Sequence, residues 1–258
     1  MQVSDDIFLG PAVAGGAGMA GSEPSSGGGP SVQSQGVGPL GRIYMFDILP
    51  ATLGAALLAA AQQRVGAGNL VLTAGAGVTA VVVNGQTRYV LDVARSVSLT
   101  SAANLSAINF TITGWDIYGQ RMSVIIAGPN ANTVNTTKAF KSILSIASSA
   151  TVGSNVSAGM GDTFGLPVML SNIGYIVSVK WNSVLAADAG TAVVGDGGVA
   201  GTGTGDVRGT YTPSSASDGG KRLVMAIGLS SIAVGPNATR NGAFGLNQNL
   251  EPSSGGSL

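Results

Sequence analysis

The sequence predicts a mainly β protein: an antiparallel β-sandwich of jelly-roll or immunoglobulin-like type, with one short helix and an extended N-terminal arm. Three observations predict it. Apolar residues alternate with polar ones in short runs such as Ile108-Asn-Phe-Thr-Ile112, the period of a half-buried strand. Those runs are separated by Gly, Pro and Asn turn signals such as Asn84-Gly85 and Gly128-Pro129-Asn130. Glycine supplies 41 of the 258 residues, about twice the usual share. It follows no collagen-like three-residue period, which suits many tight connections.

Residues 1–40 read as an arm. Met1 to Pro39 is rich in Gly, Ser, Pro and Ala, carries only Asp5, Asp6 and Glu23 as charges, and lacks the periodicity of a core. It does not read as a signal peptide, because Asp5 and Asp6 precede the first basic residue, Arg42. Gly16-Ala-Gly-Met-Ala-Gly21 matches a dinucleotide fingerprint by letters only, with no strand before it and no helix after it. Residues 41–68 read as a short helical segment. Ile43 to Leu49 alternates until Asp47, and Pro50 suits a first helical position. Ala51 to Arg64 is then rich in helix formers, with Leu53, Ala56, Leu57 and Ala60 on one face. Gly66 and Gly68 would end it. This apolar run is too short to span a bilayer.

Residues 69–245 read as the β-sandwich domain, with a possible split near 162–170. Leu70 to Thr73, Val78 to Val83, Thr87 to Val93 and Ser96 to Thr100 form a first group of strands, and Asn84-Gly85 marks a hairpin. A meander follows. Ile108, Phe110 and Ile112 share a face, Ser123 to Ala127 returns after an aromatic turn, and Ala139 to Ala147 offers Phe140, Leu144 and Ile146 to a core. Asp162 to Leu170 reads as a loop around Gly165-Leu166-Pro167. Tyr175 to Trp181 alternates as a strand, Gly195 to Gly205 reads as a loop, and Thr210 to Thr212 precedes a turn at Pro213 to Gly220. Lys221 to Leu229 closes the domain with Leu223, Met225, Ile227 and Leu229 on one face. Residues 246–258 form a polar C-terminal tail. Ser123 to Ala131 is echoed by Ser231 to Ala238, each ending in Gly-Pro-Asn-Ala, through duplication or through turn chemistry reached twice.

Composition narrows the function. There is no cysteine and no histidine, so a Ser-His-Asp or Cys-His triad and Cys- or His-ligated zinc are excluded. Charged residues make up 9% of the chain, against roughly 25% in soluble domains, and the formal net charge is zero. So few charges protect poorly against association, which points to a surface partly covered by neighbours rather than a bare one of Ser, Thr, Asn and Gly. The longest basic run is the pair Lys221-Arg222, too little for a nucleic-acid site.

Residues that invite chemistry have simpler readings. Asp116 sits in the turn Gly114 to Gly119, where an aspartate caps by accepting backbone N–H bonds. The nearest acidic residues, Asp92 and Asp162, lie in other elements. Asp196, Asp206 and Asp218 occupy Gly-rich loops but lack calcium-loop spacing. Trp115 and Tyr118 suit a sugar platform or, better, core or interface packing. The sequons at Asn104, Asn109, Asn135, Asn155 and Asn237 are expected by chance in a chain rich in Asn, Ser and Thr. No catalytic, cofactor-binding or metal residue is assigned, no cofactor is expected, and an enzyme is not expected.

Several runs carry a resemblance: Leu91-Asp-Val-Ala-Arg95-Ser-Val97, Asn109-Phe-Thr-Ile-Thr-Gly-Trp-Asp116 with Tyr118-Gly119, Gly128-Pro-Asn130, Lys138-Ala-Phe-Lys141, Val152-Gly153 and Gly205-Asp-Val-Arg-Gly-Thr-Tyr211. They lie between Asn69 and Met225, outside the arm. Together they resemble a family of virion structural proteins of tailed bacteriophages, most of all a head decoration or cement protein. The resemblance implies a mechanical role: a β-domain on the outer surface of the head, made in the host cytoplasm, bridging capsomers. It implies the major capsid protein and sister copies as partners, a trimer at local three-fold positions being favoured, with no nucleic acid and no membrane. No catalytic residue carries over, because the pattern contains none. The alternative is a tail-associated receptor- or glycan-binding protein presenting Trp115 and Tyr118. A carboxylate hydrolase built on Asp pairs is a further rival.

Overall fold

The computed structural model describes residues 7–8, 42–170, 172–182, 184–185, 190–195 and 205–229. Most of the Met1–Pro39 arm, most of the 195–205 loop, the second Gly-Pro-Asn-Ala segment and the 246–258 tail lie outside the described residues. The chain forms β1 (Ile7–Phe8), β2 (Arg42–Ile48), β3 (Gly54–Arg64), β4 (Gly68–Asn69), β5 (Val78–Val83), β6 (Gln86–Thr100), β7 (Asn109–Trp115) and β8 (Arg121–Ala127). It continues with β9 (Thr133–Asn135), β10 (Phe140–Ser148), β11 (Val152–Gly165), β12 (Ile176–Trp181), β13 (Val184–Leu185), β14 (Gly190–Val194), β15 (Gly209–Pro213) and β16 (Leu223–Leu229). Among the described residues every ladder is antiparallel. Among the described residues no helix is long and apolar enough to cross a membrane.

These strands enclose two apolar cores. In the first sandwich, one sheet runs β5, β6, β10, β7, β8, and the other joins β9, the second half of β6, β11 and β3. Phe110 and Ile112 of β7, Met122 and Val124 of β8 and Phe140, Ile143 and Ile146 of β10 pack with Val156, Ala158 and Met160 of β11 and Leu58 of β3. The alternation that predicts β7 is the alternation that buries it. Strand β6 serves both sheets. Its ladder to β10 jumps from Val90 to Arg95 while β10 advances only from Ser142 to Phe140, and this bulge turns the strand from one sheet into the other.

The second sandwich is smaller. The sheet β1, β2, β16, β12, β13 supplies Tyr44, Phe46, Leu223, Met225, Ile227 and Trp181. Phe164, Leu166, Val168, Leu170 and Tyr211 face them, from the end of β11, the segment after it and β15. The Phe164 and Trp181 rings meet at 6.3 Å, tilted by 42°. Met160 belongs to the first core and Phe164 to the second, so β11 runs through both without a break. The first sandwich is nested: β2 precedes it in the chain, yet pairs in full with β16.

The helix expected over Ala51 to Arg64 is not formed; Gly54–Arg64 is strand β3, paired with β11. A single isolated helix of that length is marginal in water, whereas the edge of β11 offers a partner and a place to bury Leu58 and Ala59. The tertiary gain overrides a weak propensity. The mismatch persists in the ladder, whose register shifts repeatedly. Leu70 to Thr73 joins no ladder: Leu70 N–H donates to Ile146, and Thr73 N–H to Leu58, stitching across the sandwich edge. Asp162 to Gly165 is the end of β11 rather than a loop. A shift of β10 against β7 between Ile143 and Ser145 puts Ile143, not Leu144, in the core.

The Asn84-Gly85 hairpin forms as its letters require. Asn84 has φ 50° and Gly85 φ 75°, the paired positive values of a type I′ turn that matches strand twist. Buried Leu223, Met225 and Ile227 bear out the face read from Lys221 to Leu229.

Candidate functional site

The polar residues that could act together lie where the two sandwiches meet. Asp92 and Arg95 are three residues apart on β6, a spacing that would put them on opposite faces of a regular strand. The β6 bulge brings them together. The Arg95 side chain is fully buried and its guanidinium is saturated. Nε donates to Gly161 O at 2.7 Å, Nη1 to Ala51 O at 3.2 Å and Asp92 Oδ2 at 3.1 Å, and Nη2 to Asp162 Oδ1 at 2.6 Å and Ser217 Oγ at 3.0 Å. The carboxylates hold the chain around it: Asp92 Oδ2 accepts from Ala51 N–H at 2.6 Å, and Asp162 Oδ2 from Ser217 N–H at 2.7 Å. One cation thus ties β6, β11, the entry to β3 and the loop before β16.

A second clamp joins Arg208 to Asp116 at 2.7 Å, with side-chain exposures of 2% and 0%. Arg208 Nε donates to Leu166 O at 3.2 Å. Asp116 Oδ1 accepts from Tyr118 N–H and Gln120 N–H, each at 2.9 Å, which is the turn cap read from the sequence. Its other oxygen takes the arginine, so the β7–β8 turn of the first sandwich is pinned to the loop before β15 of the second. The Arg208 guanidinium lies 4.9 Å from the Tyr118 ring, and the Tyr118 hydroxyl donates to Pro167 O. Burial pushes that hydroxyl up to about 12; Arg208 opposes the rise, and Tyr44 and Asp116 add to it. Asp206 strengthens the same junction, accepting from Arg208 N–H at 3.0 Å and from Ala139 N–H at 3.2 Å.

A cleft of about 750 Å³ opens beside the first clamp, lined by Phe46, Leu49, Val93, Ile117, Asp47, Asp92, Lys141 and Arg222 among others. Its charges are already engaged. Asp47 and Arg222 bind each other through both oxygens. Lys141 Nζ donates to Leu91 O at 2.6 Å and Asp92 O at 2.8 Å; burial pushes the ammonium down, against the pull of Asp92.

The remaining sequence candidates are dispersed. Asp92 and Asp162 do converge, but on Arg95, so the pair a carboxylate hydrolase would need is neutralised by a cation. Asp218 Oδ1 accepts from Gly220 and Lys221 N–H, which holds its carboxyl below the usual range. Asp196 lies outside the described residues, and among those described no cluster of three His, Cys, Asp or Glu could hold a metal ion. Trp115 is half-buried beneath Arg88, whose guanidinium stands 3.6 Å from the ring centre. Asn104 closes a turn on Ser106. The fingerprint at Gly16 to Gly21 lies outside the described residues.

Sequence reasoning missed Arg95 and Arg208. The available signal was their rarity: cations two or three residues from an aspartate, in a chain with 9% charge. Comparison with family models, with curated proteins and with solved structures finds no match to this chain.

Proposed function

We propose that this protein is a structural component of a virion: a head decoration protein of a tailed phage that cements the capsid by bridging capsomers. It would act as a homo-oligomer, a trimer at local three-fold positions, with the Met1–Pro39 arm laid across a neighbouring subunit except at Ile7–Phe8, which pairs with β2 of its own chain. The observation that carries this reading is where the resembling runs fall. Leu91 to Val97, Asn109 to Gly119 and Gly205 to Tyr211 supply Asp92, Arg95, Asp116, Asp206 and Arg208, the residues that bolt one sandwich to the other. A sequence signature spent on rigidity suits a part that carries load between neighbours. A buried ion pair adds little net stability over an apolar contact, yet it penalises any other arrangement.

The glycan-binding alternative has less support, because Trp115 stacks under Arg88 and the Tyr118 hydroxyl is committed to Pro167. The test is cryo-EM of intact particles together with copy number. Density of this shape repeated over the head lattice supports the proposal; a few copies at the tail tip overturn it. Deleting residues 1–39 should leave both sandwiches folded and weaken binding to capsids; full occupancy by the truncated protein would remove the arm from the proposal.

A further inference from the structure

The β5–β6 hairpin overhangs the first sandwich. Val78 is buried against the core, but Thr79 to Val82 are exposed, with Val81 at 40% and Val82 at 69%. Both faces of β5 are therefore wet from Thr79 to Val82, although β5 reads Val-Thr-Ala-Val-Val-Val and contains no charge and no proline. Strand β5 pairs only with β6 among the described residues. Its outer edge thus lacks the lysines, prolines and bulges that normally guard an exposed strand. The type I′ turn at Asn84-Gly85 fixes the register, Val83 opposite Gln86 and Val81 opposite Arg88, so the edge is held ready.

We propose that this edge is an interface between copies of this chain, in which β5 pairs antiparallel with β5 of a second copy about a two-fold axis through Val81. The register follows from the hairpin. In a two-residue hairpin the pair flanking the turn is hydrogen-bonded, and the bonding alternates from there. Val83 and Val81 therefore turn their backbone groups toward β6, and Ala80 and Val82 turn theirs outward. Val78 N–H is already given to Gly75 O, which leaves Ala80 and Val82 as the free edge among the described residues. A two-fold at Val81 sets Ala80 of each copy opposite Val82 of the other as hydrogen-bonded pairs, with Val81 facing its own counterpart between them.

Side chains and charge agree with this arrangement. The contact is uncharged on both faces, with Thr79, Val81 and Val83 on one and Ala80 and Val82 on the other. The nearest charge, Arg88, reaches away from the edge to stand over Trp115. Zero formal net charge on the chain leaves no long-range repulsion between copies. A sister chain fits better than a foreign strand because the segment is complementary to itself. The contact joins copies in pairs and leaves a three-fold assembly to other surfaces. It does not rest on the virion reading, and the two are measured separately: capsid occupancy for one, association of the purified protein for the other.

The test uses the full chain, which contains no cysteine. At the axis, Val81 forms a non-hydrogen-bonded pair, whose Cα spacing near 4.5 Å lies within the range a disulfide spans. Val81→Cys should close a symmetric disulfide under mild oxidation. At micromolar protein it should do so at least about tenfold faster than Val65→Cys, because the paired thiols meet at an effective concentration near millimolar. Val65 is 95% exposed and off the edge, so it reports chance collision. By analytical ultracentrifugation the unmodified protein should shift from monomer toward twice that mass with concentration, or form larger species built on such pairs. Val81→Lys, which sets two like charges face to face, should abolish that step with the β circular dichroism retained. Equal oxidation rates for the two cysteine variants would overturn the proposal. So would association that Val81→Lys leaves unchanged.

Discussion

Replacing Arg208 with methionine should test the clamp between the sandwiches most directly. The substitution keeps an apolar stem as far as the Nε position but leaves the Asp116 carboxylate buried, with a side-chain exposure of 0%, and removes the Nε donor from Leu166 O. Breaking a buried ion pair on one side costs about 3–5 kcal/mol. For a chain of this size, at ~2–4 °C per kcal/mol, that amounts to about 6–20 °C in Tm. Trp115 lies in β7 of the first sandwich and Trp181 in β12 of the second, and these are the only two tryptophans. Denaturation followed in each single-tryptophan background therefore reads each sandwich separately, and both midpoints should fall. Two controls sharpen the result. Arg222→Met removes the exposed pair with Asp47, where the arginine side chain is 61% exposed, and should move neither midpoint measurably. Adding Asp116→Asn to Arg208→Met neutralises the stranded charge while keeping an oxygen for the turn cap, and should recover part of the loss. An Arg208→Met protein no less stable than Arg222→Met would refute the clamp.

Further tests address local packing and titration. Gly159→Ala would place a Cβ 1.9 Å from Gly54 O, a backbone atom that cannot swing aside, so it should force β3 off β11 and lower the denaturation midpoint sharply. Gly153→Ala meets nothing within 4 Å and should be neutral or slightly stabilising, by up to about 1 kcal/mol. The Tyr118 phenol rises from 10.0 to about 12 on folding. Its contribution is fully present below pH 10 and drains away as pH climbs through about 12; stability measured over that window should fall less steeply in Tyr118→Phe. Tyr211, raised by burial, adds to the same alkaline loss and can be removed in the same way.

What the letters revealed depended on how far apart the interacting residues are. The Asn84-Gly85 turn and the faces of β7 and β16 were legible because each is decided within a few residues, by positive φ values or by period-two burial. Strand β3 was not. Ala51 to Arg64 carries helix-forming residues, and only the presence of β11 makes the extended form better. Strand β11 itself carries Gly159 and Gly161, where glycine marks close packing rather than a loop: a Cβ would fall 1.9 Å from the Gly54 backbone oxygen at Gly159 and 2.3 Å from Ser96 Oγ at Gly161. Leu144 lost its predicted core place to Ile143 through a bulge, which alternation cannot foresee. The clamps were the least visible, since Arg208 meets Asp116 across 92 positions and Arg95 meets Asp162 across 67.

The nesting of one sandwich inside the chain of the other has a consequence for synthesis on the ribosome. The inner body has all its strands once β11 has emerged and can close by itself. Strand β2, translated before any of it, must wait for β16 to find its main neighbour. Its Tyr44 and Phe46 face stays bare through that interval, vulnerable to intermolecular sticking. A truncated polypeptide released before Leu223 should therefore aggregate through its early segment while its interior domain remains soundly folded.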